Sequence, residues 1–211
     1  VWSHSVIFPS RPRDVIDAGV DVVSHSNGLY WEVSDEVPTA FGPHRQMRFS
    51  KNAASRPEFT ELLDEMRQRG TILDATLYVI QYSRDYAPNE KDREARTQRL
   101  IFANEITHLA YRSGILIAAG SDQMIEKGKA LPVIHDELGL LVENAGLSPA
   151  AALRSATSIN AKVLGIDNET GYVQEGKRAD MIVLTENPLE NIDNTRSIRL
   201  VIKRGKLRIL N

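Results

Sequence analysis

Val1-Trp2-Ser3-His4-Ser5 and Val22-Val23-Ser24-His25-Ser26 are near-copies of one pattern, a short apolar run that closes on a histidine. Between them, Arg11-Pro12-Arg13-Asp14-Val15-Ile16-Asp17-Ala18-Gly19 predicts a short helix. Pro12 suits a first turn, where its missing N–H is not needed, and Gly19 suits the residue just past a helix end. The opening therefore reads strand, helix, strand, with an imidazole at the carboxyl end of each strand. Gly114-Ile115-Leu116-Ile117-Ala118-Ala119-Gly120-Ser121-Asp122 is a third apolar run of this kind, closing on a carboxylate. In a parallel α/β barrel, the chemistry stands at the carboxyl ends of several strands. His4, His25 and Asp122 are ligand types suited to one divalent ion. The plainer readings are a histidine satisfied by a backbone carbonyl and an aspartate that caps a helix.

The 211 residues suffice for one domain, or one and a half at ~100–200 residues each. A net charge of −2, from 26 basic and 28 acidic residues, gives no electrostatic case for nucleic acid. No apolar run approaches the ~20 residues of a membrane span. With no cysteine, disulfides, thiolate catalysis and cysteine-bound zinc are excluded; the compartment stays open. Asn168-Glu169-Thr170 fits a glycosylation triplet, a match short enough to arise by chance. Residue 1 is Val and the chain opens inside a strand pattern, so the expectation is a processed or incomplete sequence.

Residues 26–56 read as a long loop with Tyr30, Trp31 and Phe41, either a lid over a site or a loop packed on the rim. Pro57 to Arg69 predicts a helix with Phe59, Leu62, Leu63 and Met66 on one stripe, ended by Gly70. Thr71 to Gln81 is a near-continuous apolar run and predicts a strand covered on both faces. After a polar segment, a long helix is expected to run to Ser113, with His108 on its solvated face. Val133 to Asn144 predicts another helix whose inward stripe includes Leu138, Leu141 and Val142; His135, at its margin, reads as a surface residue, as does His44. Ser148-Pro149 is a cap and first turn for a helix to about Ser158. The last forty residues predict four short strands, Gly171–Val173, Asp180–Leu184, Ser197–Lys203 and Lys206–Leu210.

These residues carry a family resemblance. Trp2-Ser3-His4, Gly19-Val20-Asp21-Val22-Val23-Ser24-His25 and Ala119-Gly120-Ser121-Asp122 resemble the fifth-, sixth- and eighth-strand motifs of metal-dependent amidohydrolases. Glu137 to Gly146, Ala152-Leu153-Arg154-Ser155-Ala156-Thr157, Gly171 through Leu184 and Val201 through Lys206 extend the likeness over nearly the whole chain. The likeness lies near the branch of imidazolonepropionase and the Xaa-Pro dipeptidase-like enzymes. The resemblance implies an α/β fold: the second half, strands 5–8, of a (β/α)8 barrel over residues 1–168, then the carboxyl-terminal part of a small composite β-sandwich over 169–211. It also implies a divalent metal, zinc, with one or two ions in the intact enzyme. His4 would be a ligand, His25 would bind metal or polarise the carbonyl, and Asp122 would bind metal, accept the proton of the attacking water and pass it to the leaving nitrogen. The substrate would be a small amide, dipeptide or cyclic amide, with Tyr78, Tyr30 and Trp31 as candidate contacts. The family's first strand supplies a His-x-His pair, and this sequence has none. The competing expectations are an inert fragment, or one half of a two-chain enzyme that pairs with the missing amino-terminal half or with itself. Neither a nucleic acid nor a membrane is an expected partner.

Overall fold

Four short strands lie side by side in the computed structural model, parallel and in chain order: β1 (Trp2–His4), β2 (Val22–Ser24), β3 (Ile72–Asp74) and β4 (Ile117–Ala118). The structure describes residues 1–35, 49–123, 128 and 130–208; Phe41 and His44 of the expected loop lie outside the described residues. Pairing sets His4 beside Ser24, Ser24 beside Asp74 and Asp74 beside Ala118. Paired residues share a face of a sheet, so these four form one row across it.

Successive strand residues point to opposite faces. Val23, Leu73 and Ile117 enter the main core with Phe59, Leu62, Met66, Phe102 and Ile106. Their neighbours Val22, Ile72 and Ala118 form a small cluster with Ile159 and Val163 against it. Two residues further along β2 and β3, this second face turns polar, with Ser24 and Asp74.

The connections follow their sequence signals. Helix α1 (Pro12–Asp17) starts on Pro12, its Arg11 amide donating to Asp14 Oδ2 at 2.7 Å, and the chain reverses at Gly19 with φ +82°. A 3-10 segment, Ser26–Glu32, follows β2. The Arg11 guanidinium ties off its end by donating to the carbonyls of Trp31, Glu32 and Ser34 at 2.9, 3.1 and 3.1 Å. Helix α2 (Pro57–Arg69) buries the expected stripe and stops at Gly70. The long helix is α4 (Glu90–Arg112), and α5 spans Ile134–Glu143. Ser148 Oγ accepts the Ala151 amide at 3.2 Å to start α6 (Pro149–Arg154).

Three expectations are corrected. The run from Thr71 to Gln81 is not one strand: β3 stops at Asp74, and helix α3 (Leu77–Asp85) begins three residues later. The turn between them is made by Thr76 in the left-handed region, φ +53°. The helix expected to run to Ser158 gives way to a π-helical turn, Ser155–Ile159, before α7 (Asn160–Val163). Gly171–Val173 is not a strand. The carboxyl-terminal sheet is three-stranded and antiparallel among the described residues: β5 (Met181–Leu184), β6 (Ile198–Lys203) and β7 (Lys206–Arg208).

Asp180, at the head of β5, fastens this sheet. It accepts the Arg204 amide at 2.7 Å, Arg178 at 2.8 Å and Lys203 at 3.3 Å. The Arg204 amide first, then Arg178, hold its carboxyl down to about 2. The unit docks on α5 through the 3-10 turn Ile192–Arg196, which lies between β5 and β6. Here His135 is buried, not at the surface as expected, with Nδ1 3.0 Å from Thr195 Oγ1. Beside it Arg196 meets Asp136 at 3.0 Å.

Candidate functional site

The strands end on one cleft of about 390 Å³. His4 closes β1, His25 follows β2, Asp74 closes β3 with Thr76 beyond it, and Gly120 and Asp122 follow β4; all line this cleft. The structure thus brings His4, His25 and Asp122 to the carboxyl side of one parallel sheet. The two imidazoles meet edge to face, with centroids 4.7 Å apart. His4 and Asp122 are exposed, and His25 is half-buried.

The backbone at three of these ends is strained. His25, Thr76 and Asp122 have φ of +71°, +53° and +53°, a region that costs non-glycine residues ~1–3 kcal/mol each and suits a β-branched threonine least. The strain aims three polar side chains into the cleft at the points where regular pairing stops.

Sequence reasoning missed Asp74. It is 4% exposed. Ser24 donates to its Oδ2 at 2.7 Å, and the Trp2 indole N–H donates to Ser24 Oγ at 2.7 Å. Oδ1 faces Gly120 and has no hydrogen-bond partner among the described residues. Burial pushes the Asp74 carboxyl up to about 6; the Asp122 carboxylate adds to this, and the Ser24 hydroxyl opposes it. The available signal was the run Ile72-Leu73-Asp74, apolar residues closing on a carboxylate as at Asp122.

A Cβ on Gly120 would stand 2.3 Å from Asp74 Oδ1. Gly120→Ala is therefore expected to displace the carboxylate and cost ~1–3 kcal/mol. Urea unfolding checks it, and an unchanged midpoint would mean that the cleft floor yields freely.

Tyr30, Trp31 and Tyr78 are buried at 8%, 4% and 4% exposure and are not among the residues lining the cleft. Tyr30 stacks with Phe49 and Phe102 at 4.4 and 5.3 Å, its hydroxyl accepting the Ser50 amide at 3.1 Å. Tyr78 sits in the first turn of α3 and donates its amide to Glu137. His108, at the surface as expected, also reaches the Ala145 carbonyl at 2.9 Å.

Among the described residues, no three His, Cys, Asp or Glu side chains are grouped closely enough to hold a metal ion. The donor chemistry of the cleft nevertheless suits one. Two imidazoles touch, Asp122 is at hand, and a buried carboxylate oxygen on Asp74 lacks a partner.

A model of the Amidohydrolase family matches residues 17–208. The ochratoxinase of Aspergillus niger is 31% identical over 156 residues, covering 70% of this chain and 31% of that protein. The imidazolonepropionase of Rubrobacter xylanophilus is 46% identical over 55 residues, 26% of this chain and 12% of that protein. The crystal structure of a Xaa-Pro dipeptidase with bound methionine in the active site superposes with a TM-score of 0.64 at 24% identity, covering 94% of this chain and 42% of that one. The chain thus spans less than half the length of these proteins.

Proposed function

Because the chain belongs to the amidohydrolase family, we propose that it forms half of a metal-dependent hydrolase of carbon–nitrogen bonds. Its substrate would be a small amide, a dipeptide or a cyclic amide. The observation that carries this reading is that His4, His25 and Asp122, from three separate strand ends, line one cleft.

The strand order supports a half-barrel. The sheet runs β1-β2-β3-β4, all parallel, whereas a closed barrel of this class has eight such strands. Val1 and Trp2 at the β1 edge and Leu116 beside β4 are 80%, 51% and 40% exposed, apolar surface that the remaining strands would cover. We take those strands to come from outside these 211 residues or from a second copy of the chain. The three-stranded unit would likewise be one part of a composite sandwich.

His4 and Asp122 would hold a divalent ion, zinc in the first instance, with His25 as a further ligand or as the group that polarises the carbonyl. The ion, when bound, supplies Lewis acidity that makes water nucleophilic near neutral pH. The chain's own residues do the rest. Asp122 takes the attacking water's proton and delivers it to the leaving nitrogen, so that the amine departs neutral. The cleft floor, where Trp2 donates to Ser24 and Ser24 to Asp74, keeps the strand ends in place beneath the reacting carbonyl. The family's first strand supplies a His-x-His pair that these residues lack, so the chain alone would hold an incomplete centre and hydrolyse amides slowly.

The test is metal removal. The full-length polypeptide, assayed on a panel of N-acyl amino acids, dipeptides and cyclic amides, is expected to lose hydrolysis on exhaustive chelation and regain it with zinc. Hydrolysis that survives chelation, or no turnover of any amide with zinc present, would overturn the reading.

A further inference from the structure

We propose that Asn160 is a positioning residue for Asp122: from outside the cleft, its side-chain amide holds the segment that carries this carboxylate. The inference rests on the amide-hydrolase reading for the work that Asp122 does, but the anchoring of its segment does not.

The sheet gives out just before Asp122. Strand β4 is Ile117 and Ala118, and its pairing with β3 ends at Ala118. The residues from Ala119 to Asp122 therefore take their support from elsewhere. Main-chain groups that leave a sheet need new partners, and Ala119 finds both of its own on the helices after it. The Asn160 side-chain amide donates to the Ala119 carbonyl at 2.9 Å, and the Ala119 amide donates to the Ser155 carbonyl at 3.4 Å. The first is a bond of ordinary length and the second a long one. Gly120 lies against the Asp74 carboxylate, so close that a Cβ would stand 2.3 Å from Oδ1. Ser121 turns its hydroxyl onto the Gln123 carbonyl, and between them Asp122 takes the left-handed backbone at φ +53°. Such a conformation persists where its surroundings over-determine it.

The π-helical turn Ser155–Ile159 is what brings Asn160 to the strand. A π turn bonds residue i to i+5, one residue out of step with the α-helix on either side, and single turns of this kind recur at functional sites. The sequence makes this one. The hydroxyls of Ser155 and Thr157 donate back to the carbonyls of Ala152 and Leu153, both at 2.7 Å, and back-bonded hydroxyls bend a helix. The bent segment meets the sheet with three successive features. The Ser155 carbonyl takes the Ala119 amide, Ile159 packs with Val22, Ile72 and Ala118, and Asn160 takes the Ala119 carbonyl. An asparagine contributes little to a helix itself; the amide of this one is spent across the helix, on the strand end. Asn160 is not among the residues lining the cleft, so it acts on Asp122 through the main chain of residues 119–122 alone. Such a link matters because a misplacement of ~1 Å at a reacting group can cost ~10²-fold in rate.

The test uses the full-length polypeptide with zinc and two variants. Asn160→Ala removes the amide, and Asn160→Asp keeps its volume but sets an oxygen against the Ala119 carbonyl. Hydrogen–deuterium exchange read by mass spectrometry is expected to show residues 119–123 exchanging roughly 3- to 10-fold faster in both variants, the worth of one hydrogen bond, with β1, β2 and β3 unchanged. For amide hydrolysis, kcat is expected to fall roughly 10- to 100-fold while KM stays within about twofold, since no group of the cleft has been replaced. Exchange at 119–123 that matches the unaltered protein in both variants overturns the anchoring. Faster local exchange with kcat unchanged overturns the positioning of Asp122, and so does faster exchange spread over the whole sheet, which marks a purely structural role. If the alanine variant fails to fold, the aspartate variant decides; failure of both overturns the proposal, because Asn160 would then serve the fold as a whole. A full-length protein that hydrolyses no amide but shows the local exchange difference would remove the amide-hydrolase reading and leave the anchor standing.

Discussion

Glu137→Ala is expected to destabilise the protein by roughly 3–6 kcal/mol, from two stranded amides and a buried cavity. Glu137 is wholly buried, and its two oxygens accept the amides of Leu77 and Tyr78. These are first-turn donors of α3, which no carbonyl within the helix can satisfy. Alanine leaves both without an acceptor in a place water does not reach. Glu137→Gln keeps one acceptor and should cost less than half as much. The same residue sets a pH dependence. Burial pushes its carboxyl up to about 8, against the pull of the two amides. In the unfolded chain it titrates near its ordinary value of 4.5, so the folded state holds the extra proton between the two values. Stability from this group is fully present below 4.5 and is lost as pH rises through about 8. Thermal melts from pH 6 to 9 should fall more steeply for the unaltered protein than for Glu137→Gln. Parallel curves would show that the two amides hold the carboxylate charged throughout.

Asp122→Asn is expected to lower amide hydrolysis by the complete enzyme ~10²- to 10⁴-fold, the usual worth of a positioned proton carrier. The substitution is a clean one. Asparagine tolerates the left-handed backbone that residue 122 adopts at φ +53°. The side chain is exposed, so folding should change by no more than ~0.5 kcal/mol. What is lost is the capacity to take a proton from water and return it to nitrogen. Turnover assays alongside urea unfolding separate the two effects. A variant that keeps its kcat would move the proton-carrying role to another group of the cleft.

Much of the outer frame was legible. Pro12 and Gly19 bracket α1, Gly70 stops α2 and Ser148 caps α6, because these residues act through their own backbone geometry and need no distant partner. The break at Asp74-Ala75-Thr76 was hidden. A buried strand and a buried helix share the same apolar run, and a left-handed threonine gives no glycine or proline to mark the turn. Asp74 disappeared with it, absorbed into a strand that ends there. His135 was misplaced for a different reason. It is polar on an amphipathic helix, which reads as solvent-facing, and the partner that covers it, Thr195, is sixty residues away in the chain. The three strand-end residues were found because their signal is local, an apolar run closing on one polar side chain; that they meet in one cleft is a property of sheet order alone.

The first turn of α5 carries three consecutive side chains that leave in different directions. His135 goes to Thr195 and Asp136 to Arg196, while Glu137 grips the head of α3, one residue from the Thr76 hydroxyl that meets His25. Mechanically this is a bell crank. The carboxyl-terminal sheet and the segment that faces the His25 imidazole are thereby tied to one and the same helical turn.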